Sequence, residues 1–229
     1  MIAVTASDYQ RIEQYMLDCM EDSAHDQEHI YRVLYVALDI AEKEEHVDCD
    51  VLTAACLLHD IGRREQFENP QLCHAAVGAE KARAFLKRNG FASVFAESVA
   101  SCIRTHRFRT ENSPESLEGR ILFDADKIDV CGALGIARTI CYQGQTGQPL
   151  YVLRENGEIS DGSGDTSPSF FREYKYKLET LYTQFYTERG KEIALERQNA
   201  AATFYKNMLE EITASRRRGM ELLEKNITK

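Results

Sequence analysis

The sequence holds six histidines, and at least three of them, His29, His59 and His106, occupy positions where an imidazole should face the interior. His29 keeps helical spacing with Val33 and Ile40, so its side chain is expected on the same inward face of a helix. His59 ends the apolar run AACLLH and is followed at once by Asp60. An imidazole and a carboxylate next to an apolar run are unusual core residues unless they share a ligand.

Carboxylates recur in a second apolar segment, ILFDADKIDVCG, which holds Asp124, Asp126 and Asp129. Burying a carboxylate costs free energy unless it is paired or binds a metal. His106, three residues after Ile103, falls on another inward helix face. One divalent cation would account for all these groups together. Imidazole and carboxylate ligands suit Mn, Fe, Co, Ni or Zn, and a set without thiolates argues against a structural zinc site.

His29, the His59-Asp60 doublet and Asp126 follow one another in an order that resembles the HD-domain metal-dependent phosphohydrolases. Those enzymes carry a His, a His-Asp doublet and a distant Asp on an all-α scaffold. The matching stretches are AHDQEHIYRV, AACLLHDIG, HAAVGAEKA, DADKIDVCGALGIAR and YKYKLETLYTQFYTERGKEIALER, and they are spread over most of the chain. Within that superfamily the chain looks like the compact bacterial YedJ/YpgQ-like branch. The resemblance implies four metal ligands: His29, His59, Asp60 and Asp126.

The resemblance also implies roles for residues around these ligands. His74 and His106 match positions that bind phosphate or a second metal in related enzymes. Arg32 is a further candidate for contact with phosphate because it is close in sequence to His29. Asp129 and His25 are expected to support the ligands from behind, since a metal-bound histidine usually donates its other ring nitrogen to a carboxylate or carbonyl.

The implied activity is hydrolysis of a phosphoester or phosphoanhydride bond by a metal-activated water. Asp60 is expected to accept the water's proton, while Arg63 and Lys127 stabilise charge on the phosphoryl oxygens. The expected substrate is a small phosphorylated molecule, with a nucleotide as the best match. Manganese is the expected cofactor; magnesium, cobalt, nickel, iron and zinc are the alternatives.

Two other functions stay open. Some HD-fold proteins use two irons for oxygen-dependent cleavage, and the extra histidines would allow such a site. A non-catalytic nucleotide sensor is the second alternative, although the chain carries all four signature ligands. Bound iron with a charge-transfer band would favour the first, and tight nucleotide binding without turnover would favour the second.

The elements that must position these residues are predicted to be helices. Apolar periodicity indicates an all-α class and a single domain over residues 1–229, with a signature core at 25–130 and C-terminal helices at 169–225. Residues 143–168 break the pattern, and the Asn156-Gly157 pair between short alternating runs predicts a hairpin or irregular loop. We hypothesise that this loop covers the mouth of the cleft. The predicted helices span 28–45, 51–60, 70–87, 92–105, 117–129, 132–142, 169–187 and 189–225.

Composition excludes several other classes of protein. The chain has 37 acidic and 28 basic residues, for a formal net charge of −9, so no extended nucleic-acid surface is expected. No run approaches the roughly 20 apolar residues of a membrane helix. The seven cysteines form no CxxC pair, which is typical of reduced thiols in a cytoplasm. Assembly with further copies of the chain is compatible with all of these features.

Overall fold

The structure is a computed structural model that describes residues 4–20, 27–107 and 113–227. Over these residues it is helical, which confirms the all-α class, and the one β-type contact there is an antiparallel bridge between Leu153 and Ile159. Among the described helices, none combines the length and hydropathy needed to cross a bilayer. The helices are α1 (Ala6–Met20), α2 (Gln27–Ala41), α3 (Cys49–Leu58), α4 (Arg63–Glu68), α5 (His74–Arg88), α6 (Ser93–Thr105), α7 (Leu117–Ile128), α8 (Gly132–Gln145), α9 (Phe170–Glu173) and α10 (Glu188–Ile227).

The chain divides into two compact units. The first contains Met1–Asp129 and Phe185–Lys191, and the second contains Val130–Gln184 and Glu192–Lys229. The prediction of a single domain stays a prediction, and each unit is described by itself.

The first unit is built around α3. This helix packs against α1, α2, α5, α6 and α7, so it is surrounded on nearly every side. That position explains why its sequence is apolar all round rather than on one stripe. Its buried residues are Val51, Leu52, Ala54, Ala55, Cys56, Leu57 and Leu58.

The N-terminus of α3 differs from the sequence-based expectation. The helix predicted over 51–60 begins two residues earlier, at Cys49, and its cap is Asp48, whose carboxylate accepts the backbone N–H of Val51. Asp50 accepts a hydrogen bond from the backbone N–H of Val4, far away along the chain. Either carboxylate could cap a helix. The contact of Asp50 with Val4 occupies one of them, and Asp48 caps α3.

The first turn of α10 is tied to α7 within the same unit. The buried Asp124 carboxylate accepts hydrogen bonds from the backbone N–H groups of Tyr186 and Thr187 and from the Thr187 hydroxyl. The Thr187 hydroxyl in turn accepts the N–H of Gly190, which caps α10. Asp124 therefore stabilises the start of α10. Asp126 in α7 and Asp129 directly after it are the aspartates that reach the candidate site.

The second unit contains the predicted irregular loop. Residues 152–160 form a short hairpin-like turn in which Gly157 has a φ of 79°, a conformation that favours glycine. The helix predicted over 169–187 is broken in the structure: after α9 comes a π-helical turn at Tyr174–Leu178 and a 3₁₀ turn at Leu181–Thr183. The Tyr174 ring stacks on Tyr205 of α10 at 4.0 Å, so ring packing fixes this segment. The lid role of residues 143–168 stays a prediction.

Candidate metal centre

Helix ends bring the candidate ligands together. His59 directly follows α3, His106 directly follows α6, and Asp129 directly follows α7, so three helix C-termini converge. Their last carbonyls carry partial negative charge, which favours a cation between them. His29 comes from the first turn of α2, and His74 is the first residue of α5.

Backbone carbonyls fix two of the imidazoles. Nδ1 of His59 lies 2.7 Å from the carbonyl oxygen of Cys56, and Nδ1 of His106 lies 2.6 Å from that of Ile103. A carbonyl can only accept, so both rings donate from Nδ1 when neutral. Each Nε2 is then left with a lone pair.

Side chains fix the other two imidazoles in the same way. Nδ1 of His29 lies 2.7 Å from Oδ2 of Asp129, and Nδ1 of His74 lies 2.6 Å from Oε1 of Gln66. Arg32 donates to both oxygens of Asp129, at 2.8 and 3.2 Å. Four rings therefore present Nε2 lone pairs toward the interior of the first unit.

The first donor group contains His29, His59 and Asp126, whose ligand atoms all lie within 4.8 Å of one another. The Nε2 atoms of His29 and His59 are 3.3 Å apart, and Oδ1 of Asp126 is 3.2 Å from Nε2 of His29. Two lone pairs that face each other at this distance repel, and a cation between them would turn the repulsion into ligation.

The second donor group contains Asp60, His74 and His106. Nε2 of His74 is 3.4 Å from Nε2 of His106, and Oδ1 of Asp60 lies 3.4 and 3.6 Å from these two nitrogens. The other carboxylate oxygen, Oδ2, lies 3.6 Å from Nε2 of His29 and 3.7 Å from Nε2 of His59. Asp60 therefore faces both donor groups, one oxygen to each.

The Asp60 carboxylate is buried without hydrogen bonds. It is 1% exposed, and neither oxygen accepts a hydrogen bond from a described residue. Arg63 places Nε 2.9 Å from Oδ1, but outside hydrogen-bond geometry. A buried anion of this kind is expensive unless it has a ligand. Together with the inward Nε2 atoms, it makes a donor set that fits divalent cations.

The protonation states of the buried imidazoles and carboxyl groups also suit a divalent cation. Burial lowers the pKa of His59 to about 4 and that of His74 to about 2, so both imidazoles are neutral and able to ligate at pH 7. Burial opposes ionisation of Asp60 and Asp126. Polar neighbours outweigh burial: the His59 ring and the Arg63 guanidinium beside Asp60, and the His29 ring beside Asp126, hold both carboxyl pKa values below their ordinary range.

Three other predicted site residues lie outside the two donor groups. Lys127 directs its ammonium over the Phe123 ring, 4.2 Å from the centroid. Arg32 contacts Asp129 rather than a donor atom. Arg63 lies beside Asp60 and is 27% exposed. His25 lies outside the described residues. The assigned roles of all four stay predictions.

Gln66 and the glycine contact that brings α5 close to Asp60 were not predicted from the sequence. A Cβ on Gly62 would lie 2.3 Å from the carbonyl oxygen of His74 and 2.7 Å from the backbone nitrogen of Gly78. The available signal was a glycine two residues after the His-Asp doublet. Gln66, by contrast, carried no signal, because only the fold places it against His74.

Comparison with known proteins places this geometry in a family. A family model described as HD domain matches residues 27–131, which hold all six residues of the two donor groups. The YpgQ protein of Bacillus subtilis (strain 168) is 30% identical over 196 residues, covering 84% of this chain and 86% of that protein. The chain belongs to the HD-domain family.

Solved structures agree with this assignment. The crystal structure of Bacillus subtilis YpgQ in complex with ADP has a TM-score of 0.67 and 28% identity, and the match covers 89% of this chain and 93% of that one. An HD-superfamily hydrolase from Bacillus thuringiensis has a TM-score of 0.69 and 25% identity, covering 91% and 98% of the two chains. A predicted HD-superfamily hydrolase from an uncultured Thermotogales bacterium has a TM-score of 0.59 and 29% identity, covering 90% and 92%.

Proposed function

We propose that the protein is a metal-dependent phosphohydrolase acting on a small phosphorylated substrate, preferably a nucleotide. One observation carries the proposal: the buried Asp60 carboxylate accepts no hydrogen bond from the part of the chain that the structure describes, and it faces two pairs of Nε2 atoms. His29, His59 and Asp126 would hold one ion, His74 and His106 a second, and Asp60 would contact both. Manganese is the proposed cofactor.

A divalent ion bound here supplies Lewis acidity and lowers the pKa of a coordinated water. The chain's own residues do the rest. Asp60 keeps lone pairs at the centre of the cluster and can accept a proton there. The Arg63 guanidinium lies beside the same carboxylate and is partly exposed, so it can contact an incoming phosphoryl oxygen. Lys127 is proposed for the same charge-stabilising role.

A nucleotide substrate is supported by the relative that was crystallised with ADP. Arg63 and Arg107 lie near the second donor group, and the Arg107 guanidinium donates to Cys73, the residue before His74. Fixed cations beside a metal cluster suit a ligand with several phosphate oxygens. The proposed reaction is the hydrolysis of a phosphoester or a phosphoanhydride bond in this substrate.

Two donor groups are also what a di-iron oxygenase would need. Bound iron with a visible charge-transfer band, and oxygen consumption in place of phosphate release, would identify that function. Tight nucleotide binding with neither product would identify a sensor.

The test is a phosphate- and pyrophosphate-release screen over nucleotides and phosphomonoesters with Mn, Co, Mg and Ni added separately. We expect turnover with the native chain and at least a hundredfold loss in Asp60→Asn. Asp18→Asn, which changes an exposed carboxylate on α1, is the matched control and should keep full activity. Release that is independent of metal, or unchanged in Asp60→Asn at saturating metal, would contradict the proposal.

A further inference from the structure

Helix α4 lies directly against the second donor group and carries an exposed aromatic ring. Arg63, its first residue, places Nε 2.9 Å from Oδ1 of Asp60, and Gln66 places Oε1 2.6 Å from Nδ1 of His74. Phe67 comes next in the chain and is 80% exposed, more than any other large apolar side chain of the described residues. Because so little of this phenyl ring is buried, it contributes little to the stability of the fold.

Phe67 lies on the same side of α4 as Arg63. Four residues turn a helix by about 400°, so the two side chains are about 40° apart around the axis and about 5.4 Å, one turn, apart along it. Side chains of a helix lean toward its N-terminus, which brings the Phe67 ring toward Arg63 and the donor group. The exposed fraction rises from 1% at Asp60 to 27% at Arg63 and 80% at Phe67. A buried carboxylate, a guanidinium and an aromatic ring therefore follow one another toward the surface.

A second exposed apolar side chain belongs to the same region. The Gln66 amide donates to the carbonyl of Leu72 at 3.0 Å, which holds the loop after α4 against the helix, and Leu72 is 39% exposed. The outer side of α4 carries an ion pair instead, with Nε of Arg64 3.2 Å from Oε1 of Glu68. Single exposed apolar residues are common on proteins, but apolar groups beside convergent polar groups suit a ligand that has both characters.

We propose that Phe67 stacks on the base of the nucleotide substrate. This inference rests on the proposed function and adds to it the group that is recognised beyond the phosphates. With the phosphates at the donor groups and Arg63, the ribose would span the turn between Arg63 and Phe67, and the base would reach the phenyl face. Every base has a flat face of this kind, so Phe67 should favour nucleotides over phosphate compounds without a base. Purines should bind ahead of pyrimidines because their rings are larger.

ADP and inorganic pyrophosphate share a diphosphate and differ in the nucleoside, so their binding separates the base from the phosphates. With Mn²⁺ present, Phe67→Ala should weaken ADP binding by about 5–100-fold, the usual effect of removing one aromatic–base stack, and pyrophosphate binding by less than about twofold. Phe67→Tyr keeps a ring and should retain the parental affinity. Val94→Ala is the matched control, because Val94 is 75% exposed at the start of α6, roughly 18 Å along that helix from His106.

Fluorescence gives a readout that does not depend on hydrolysis. The chain has no tryptophan, so Phe67→Trp introduces a single indole at this position. ADP should quench its emission, and pyrophosphate should leave it unchanged. The indole in Val94→Trp should respond to neither ligand.

Three results would overturn the stacking role: unchanged ADP binding in Phe67→Ala, an equal loss of ADP and pyrophosphate binding in that variant, or equal quenching by both ligands in Phe67→Trp. A native chain that binds no ADP would overturn it as well. Base-dependent binding through Phe67 without release of phosphate or pyrophosphate would refute the proposed function and retain the stacking role. Nucleotide hydrolysis with a parental KM in Phe67→Ala would refute the stacking role alone.

Discussion

Asp129 joins a histidine of the proposed metal centre to a fixed positive charge. Its carboxylate contacts Nδ1 of His29 and is held by two bonds from Arg32. We expect Asp129→Asn to weaken metal binding by about 10–100-fold, because an amide can turn its NH₂ toward Nδ1 and favour the wrong tautomer. Calorimetric titration with Mn²⁺ measures the change.

Arg32→Gln should have a smaller effect of the same kind, since it removes the group that orients Asp129 and leaves the carboxylate in place. A larger loss of metal affinity in Arg32→Gln than in Asp129→Asn would show that Arg32 acts by another route. A raised KM for a nucleotide with unchanged metal affinity would favour the phosphate-binding role predicted for Arg32 from the sequence.

The buried imidazoles predict how stability depends on pH. The pKa of His59 is about 4 in the folded chain, against about 6.5 for an ordinary histidine. Between these values the unfolded chain binds a proton that the folded chain does not. The free energy of unfolding should therefore fall as pH drops from 6.5 toward 4, by roughly 3 kcal/mol for this residue. His74 acts in the same direction.

Urea unfolding of the metal-free chain at several pH values between 4.5 and 7 measures this slope. His59→Gln should flatten it. His46→Asn is the control, because His46 is exposed and its backbone φ of 64° is one that asparagine tolerates. The same slope over this range in the parent chain, His59→Gln and His46→Asn would contradict the contribution assigned to His59.

The close approach of α5 to the turn after α3 decides whether the second donor group exists. Gly62→Ala would push a Cβ into the His74 carbonyl and the backbone of Gly78. We expect a loss of about 1–3 kcal/mol in stability, since neither backbone atom can rotate away. The displaced His74 should also reduce the Mn²⁺ stoichiometry from two to one per chain.

Gly144→Ala is the matched control for that variant. Gly144 lies in α8, and a Cβ there would meet nothing within 4 Å. This substitution should be neutral or slightly stabilising and should keep two ions. If Gly62→Ala binds two ions with parental affinity, the glycine contact does not position the second group.

For the whole molecule, metal binding and folding should be coupled. Four imidazoles and two carboxylates are gathered from α2, α5, α7 and the residues that follow α3 and α6, so the set does not exist in the unfolded chain. Mn²⁺ at 100 times its Kd should add about 2.7 kcal/mol to the free energy of unfolding for each ion bound. Differential scanning fluorimetry should show a rise in Tm that chelation reverses and Asp60→Asn abolishes. An equal rise in Asp60→Asn would place the stabilising ion elsewhere.

The sequence by itself determined the all-α class and the residues from which a metal site could be built. Both conclusions depend on local information. Apolar residues at helical spacing specify a helix wherever it packs, and an inward His or Asp signals a ligand because burying it is otherwise costly. The break after Gln143 and the turn at Asn156-Gly157 could be predicted because they too depend on local sequence.

Only the tertiary structure decided how those residues are connected. Asp129 reaches His29 across 100 positions of the chain, and Asp60 faces two donor groups rather than one. The contact between Gly62 and α5 was equally hidden. Helix periodicity reports which side of a helix is buried, but not which helix lies against it. Pairing depends on how all the apolar faces of the chain are buried together.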